Sequence, residues 1–275
     1  VVMMNSKKMR AFAFTQIGSS HLKERKECQD TSLALYGYDY AAAIVCDGHG
    51  GSKHFRSGIG ARFAVETGKE TVLRFVRERR KILRKEILPD EIAQVGKSLI
   101  FSWREKVSAH LKSCPFSEPE QKILVSNVPD RKAVNDFTAY GSTFLAAIRY
   151  GKNLCLLQIG DGDIRVFMEK GCIDPMQKDS RLQFGATTSL CDRDAFTNLQ
   201  TVCLPAKAVK GCWLSSDGVK NSFRDEESFV TFIKTVRKEF CREKFSAFSQ
   251  EIKEFLPLLT KRGSVDDLSV AYIGR

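Results

Sequence analysis

The chain has 275 residues, 43% of them hydrophobic and 10% aromatic, enough for a large core and consistent with one domain over residues 1–275. Lys and Arg number 44 against 33 Asp and Glu, and the resulting +11 favours acidic partners without naming one. No apolar run reaches the length of a membrane span, and the N-terminal VVMMNSKKMR lacks the apolar region and cleavage site of a secretory signal, so a cytoplasmic protein is expected. Nine cysteines without any C-x-x-C spacing read as buried thiols of a reducing compartment, and histidines 21, 49, 54 and 110 pair with no cysteine at zinc-ligand spacing.

In chain order, apolar runs at 11–17, 31–36 and 40–46 predict strands bounded by Gly, Ser or Asp. From about 52 to 111 the apolar spacing is close to 3.6, interrupted at Pro89, which predicts an antiparallel pair of helices. Within it the basic stretch 69–86 carries Val72, Leu73, Val76 and Leu83 at helical spacing. It reads as the solvated face of an amphipathic helix, and with Phe75 as its single aromatic it offers no stacking platform for nucleic acid. Residues 113–137, with Pro115, Pro119 and Pro129, predict a connector.

Three β runs follow, joined by Tyr-Gly-Lys-Asn and by Gly-Asp-Gly, and predict an antiparallel meander. A weaker run at 199–204 leads to GCWLSSDGV, a strand ending on Asp217. Helical patterns cover 225–239 and 243–260, and DDLSVAYIG closes the chain as a strand. Strands and paired helices alternating in blocks predict an α+β fold. The expected form is a four-layer αββα sandwich of two mostly antiparallel sheets, with helical pairs on the outer faces.

The chemistry sits at strand ends. Asp47 in VCDGHGG, Asp161 in IGDGDIRV and Asp217 in LSSDGV each end an apolar run, while Asp266 opens one in VDDLSV. An Asp-Gly after a strand is by itself ordinary turn chemistry, with glycine supplying positive φ. Four such carboxylates at one rim of a sandwich would repel and raise one another's pKa, so a shared site calls for cations. Oxygen ligands point to Mg²⁺ or Mn²⁺.

These segments, with ERKECQDTSL near the start and GSTFLAAI before the Gly-Asp-Gly turn, occur in the order of the motifs of type 2C metal-dependent protein Ser/Thr phosphatases. The sequence resembles that family, and its bacterial members in particular. The resemblance implies a rim centre of two, or with Asp161 three, Mn²⁺ or Mg²⁺ ions. Asp47 would bridge two of them, Gly48 would offer its carbonyl, Asp217 and Asp266 would hold the first metal, and Asp30 would act through water. It also implies a metal-bridging hydroxide attacking phosphoserine or phosphothreonine directly, Arg25 gripping the phosphate and His49 protonating the leaving oxygen. His21, Lys23 and Lys26 stand near enough in sequence to take the place of Arg25. Gln29 and Asp267 depart from the family pattern, which has Glu and Asn there. The substrate implied is a phosphorylated protein. An inactive phosphatase-like scaffold that binds phosphorylated partners and a small-molecule phosphomonoesterase are the alternatives.

Overall fold

A computed structural model describes residues 9–82, 86–126, 134–177 and 187–274. In chain order the elements are β1 (Arg10–Gln16), α1 (Ser19–Glu24), β2 (Thr31–Tyr36), β3 (Tyr40–Cys46), α2 (Ser57–Arg79), α3 (Pro89–Ser113) and α4 (Glu118–Ser126). There follow β4 (Phe144–Tyr150), β5 (Asn153–Ile159), β6 (Asp163–Met168), β7 (Cys172–Ile173), α5 (Ala195–Asn198), β8 (Gln200–Pro205) and β9 (Val209–Ser215). The chain ends with α6 (Asp217–Asn221), α7 (Glu226–Arg242), α8 (Phe245–Arg262) and β10 (Leu268–Gly274).

The strands form two sheets, β1-β10-β9-β6-β7 and β2-β3-β4-β5-β8, with every pair antiparallel. Successive residues of a strand face opposite sides, and both sides are buried here, which is why these strands read as continuous apolar runs. Along β3, Ala41, Ala43 and Val45 face the other sheet and pack with Leu145, Leu156, Leu214 and Ile273. The alternate residues Ala42, Ile44 and Cys46 pack outward with Ile92, Leu99, Ile100 and Trp103 of α3. On the other sheet, Val270 and Tyr272 face Phe229, Ile233, Phe248 and Ile252 of α7 and α8. Each such side chain contributes about 1.5–3 kcal/mol on full burial. Two sheets and two outer helical layers are thus the four-layer sandwich the sequence predicts.

The first helical pair is antiparallel because its contacts run in opposite directions. Lys106 bridges Glu66 and Glu70, Arg74 donates to Ser98, and Arg79 pairs with Glu91. Pro89 opens α3, where its missing N–H costs nothing, and Glu91 accepts from the Leu88 amide at 2.8 Å. Leu73, expected on the apolar face, is 40% exposed, whereas Ile87 is buried; Leu83 lies outside the described residues.

Two expectations change. The connector 113–137 contains α4, since Pro119 falls in the first helical turn, where proline is tolerated; part of that connector, 127–133, lies outside the described residues. The meander is broken: β4 and β5 form a hairpin, but β6 leaves for the other sheet and pairs with β9. Gly160-Asp161-Gly162 is therefore a crossover between sheets. Gly160 has φ +108°, and the Gln158 side-chain amide donates to the carbonyls of Gly160 and Gly162, holding both away from the ladder.

Candidate metal centre

Strand register gathers the aspartates. Thr31 pairs with Cys46, so Asp30 and Asp47, the next residues outward, become neighbours at one rim. Asp163 pairs with Ser215, which brings the Asp161 crossover beside Asp217. Ser215 in turn pairs with Val270, near the start of β10, which places Asp266 at the same rim. All five line a single cavity of about 520 Å³, together with Gly48 and His49.

The cavity is electrostatically uncompensated. Burial raises Asp30 to about 8, opposed by a hydrogen bond from Ser216 and reinforced by the charges of Asp267, Asp266 and Asp217. Asp47 is pushed well above the carboxylate range by burial and by its neighbours Asp30 and Asp217. Asp161 and Asp217 are raised as well, again chiefly by burial. The carboxyl groups of Asp47 and Asp217 are close enough to shift each other, and Asp217 adds to the rise at Asp47. The buried Oδ2 of Asp30 has no partner.

The loop after β3 is laced to its neighbours through backbone. Gly48 donates to the Gln29 carbonyl, His49 to that of Gly141, and Thr143 to that of Asp47, while the Thr143 hydroxyl accepts from the Asp47 amide. A Cβ on Gly48 would stand 2.7 Å from the Gln29 oxygen and 2.8 Å from that of Ser57. Close approach of three chain segments is therefore what demands glycine at 48, and neither a positive φ nor a turn is involved. Arg56 anchors the far end of the loop. It is paired with Glu120 of α4 through two hydrogen bonds, and it donates to the carbonyls of Cys114 and Pro115 and to the Tyr140 hydroxyl.

His49 lies edge-on to His54, with ring centroids 4.8 Å apart, and its Nε2 is buried without a partner. Burial, then His54 and Lys53, lower its pKa to about 3, so the imidazole is neutral in the empty cavity. His54 is locked by donating from Nδ1 to the Thr138 carbonyl.

The structure does not bring Arg25 to the cavity. It caps α1 in the left-handed conformation, φ 54°, with an exposed side chain outside the lining. Among the described residues, the basic side chains that line the cavity are Lys53 and the histidines His21, His49 and His54. Asp266 and Asp267 precede β10 instead of alternating along it, and both reach the wall. Hydrogen bonding separates them: Asp267 is buried and accepts from the amides of Gly18 (2.5 Å) and Gln29 (2.6 Å), with His21 Nδ1 3.1 Å away. Asp266 is exposed and holds only the Asp267 amide, which leaves it the freer ligand. Sequence reasoning did not assign Thr187, Ser189, Cys191 and Asp192, which also line the cavity; the Ser, Thr and Asp clustered in TTSLCDRD were the available signal.

Among the described residues no three His, Cys, Asp or Glu side chains form a ready-made ligand cage. Magnesium-type ions do not need one, since they keep several waters and take one or two carboxylates. Aspartates that, among the described residues, have no lysine or arginine partner, an orphaned carboxylate oxygen on the buried Asp30 and an all-oxygen donor set fit hard divalent cations.

A family model described as Protein phosphatase 2C matches residues 17–257. No curated protein matches the sequence significantly. Among solved structures, the serine/threonine phosphatase of S. agalactiae is 18% identical, over 97% of this chain and 99% of that one, with a TM-score of 0.58. Stp1 from Staphylococcus aureus is 14% identical over 98% and 96%, TM-score 0.57. The catalytic domain of the serine/threonine phosphatase PstP, solved in complex with two manganese ions, is 15% identical over 97% and 97%, TM-score 0.57. At such identities the solved structures speak to the fold, which they share along nearly their whole length. The sequence match, which spans most of the chain and four of the five rim aspartates, Asp30, Asp47, Asp161 and Asp217, shows the rest: this chain belongs to the protein phosphatase 2C family.

Proposed function

We propose that this protein is a metal-dependent phosphoprotein phosphatase that hydrolyses phosphoserine and phosphothreonine by direct attack of water on phosphorus. The observation that carries the reading is the set of five aspartates, drawn from five chain segments into one cavity and, among the described residues, without a Lys or Arg ion-pair partner. Asp47, Asp217, Asp266 and the carbonyl of Gly48 would hold Mn²⁺ or Mg²⁺, with Asp30 behind them and Asp161 open to a further ion. When bound, these cations supply a lowered water pKa and screening of the phosphoryl oxygens.

The chain's own residues do the remainder. Lys53, on the short 3-10 turn Ser52–His54, and His21 line the mouth and grip phosphate oxygens, the part the sequence reading gave to Arg25. His49 carries the proton for the leaving serine or threonine oxygen. Burial disfavours its charged form, and the negative charge of an incoming phosphoryl group acts in the opposite direction. The wall of Thr187, Ser189 and Asp192 faces the substrate chain. Hydrolysis of a phosphoserine peptide, followed with Mn²⁺, with Mg²⁺ and with excess chelator, tests the reading. Activity is expected with either ion and none with chelator, and undiminished turnover in chelator rules the mechanism out.

A further inference from the structure

Cys155 of β5 and Cys203 of β8 are directly opposed in the antiparallel register, and their sulfurs lie 3.3 Å apart in hydrogen-bond contact. Opposed residues of such a pair have Cα atoms about 4.5–5.5 Å apart, inside the roughly 4.4–6.8 Å range of disulfides, so the bond can close without moving backbone. β8 is the edge strand of its sheet, and Cys203 on it is half-buried, whereas Cys155 is buried. We propose that Cys155 and Cys203 form an oxidation site, a dithiol that a peroxide converts into a cross-strand disulfide stapling β8 to β5.

The geometry assigns the order of events. Cys203 is the thiol a small oxidant reaches, and its sulfur already contacts that of the buried Cys155. The Cys203 sulfur attacks one peroxide oxygen, the O–O bond breaks, and the departing hydroxide takes up a proton to become water. Cys155 then attacks the resulting sulfenic acid, the S–S bond forms as the S–O bond breaks, and the second hydroxide leaves with the Cys155 proton as water. Two thiols are oxidised and one peroxide is reduced to two waters. The loop closed by the bond carries Asp161 and the wall residues Thr187, Ser189 and Asp192, so the staple constrains one side of the cavity in the unfolded chain as well as the folded one.

The proposal stands apart from the phosphatase reading, and its test uses no phosphatase assay. The full chain, with Cys114→Ser and Cys241→Ser to remove the exposed thiols, is treated with hydrogen peroxide and alkylated, and peptides are mapped by mass spectrometry. The expected result is a Cys155–Cys203 linked peptide released by dithiothreitol, with a thermal midpoint raised by several degrees in the oxidised protein. Adding Cys203→Ser should leave a folded protein that gains neither the link nor the shift. Cys203 recovered as sulfinic acid without the link, or a link that leaves the midpoint unmoved, overturns the proposal.

Discussion

Asp161 and Asp163 stand two residues apart on the same crossover and live in opposite electrostatic worlds. Asp163 is buried against the Arg165 guanidinium at 2.6 Å and the Lys220 ammonium at 3.3 Å, and Arg165 continues to Glu226 at 2.8 Å. That network is closed: each of its carboxylates has a cation within reach. On the other side of the turn, Asp161, Asp217, Asp47 and Asp30 are pushed towards protonation by burial, with no such partner among the described residues. The same few residues of chain could have carried a second Arg165. The contrast is what the proposed cations would answer: they would supply the charge that the described residues give Asp163 and not its neighbours.

The largest expected effect contrasts activity with stability at one residue. Asp47→Asn should abolish phosphopeptide turnover, because it removes a charged ligand shared across the cavity. In excess chelator the same variant should melt above the wild type, since it deletes a buried carboxyl that burial and its neighbours disfavour. A lower midpoint in chelator would mean that Asp47 is a structural carboxylate like Asp163.

His49 extends the contrast from charge to proton. His49→Gln should slow hydrolysis of a phosphoserine peptide by about 10²–10⁴ and hydrolysis of p-nitrophenyl phosphate far less, because nitrophenolate departs without a proton. Equal losses on both substrates would reduce His49 to a packing partner of His54.

Asp163→Asn tests the closed network. It leaves Arg165 and Lys220 short of their shared carboxylate in a buried setting, and urea unfolding should show a loss of about 3 kcal/mol, the reverse sign to Asp47→Asn in chelator. A neutral result would dissolve the distinction between the two clusters.

The smallest signal is a slope. Asp30 has an ordinary value of 3.8 and is raised to about 8 in the folded, metal-free protein. Between those values the folded state therefore binds more protons than the unfolded one, and this group's contribution to stability falls as pH rises. Thermal midpoints in chelator across that interval should decline for the wild type and decline less steeply for Asp30→Asn. An identical pH dependence in the two proteins would place Asp30 outside the repelling cluster.

Local chemistry made much of this molecule legible before any coordinates. Strands with both faces buried announce themselves as apolar runs, Pro89 marks a helix start because only there is its missing N–H free of cost, and aspartates at strand ends can reach a rim without crossing a core. Those features depend on neighbours in the chain, so the sequence by itself determined them, along with the four-layer architecture that blocks of strands and helix pairs imply. Which partner each segment meets was decided only in three dimensions. Gly160-Asp161-Gly162 has the composition of a hairpin turn, and Gln158 capturing two carbonyls made it a crossover. Arg25 sits at the motif position yet ends up at the exposed left-handed cap of α1, outside the cavity that Lys53 and His21 line. Asp266 and Asp267 differ not through the strand pleat but because two backbone amides from distant segments claim Asp267. Cys155 and Cys203, 48 residues apart, meet through strand register alone. Pairing across long separations depends on loop geometry and on competition among many partners of similar composition, and that competition is settled only when the whole chain packs at once.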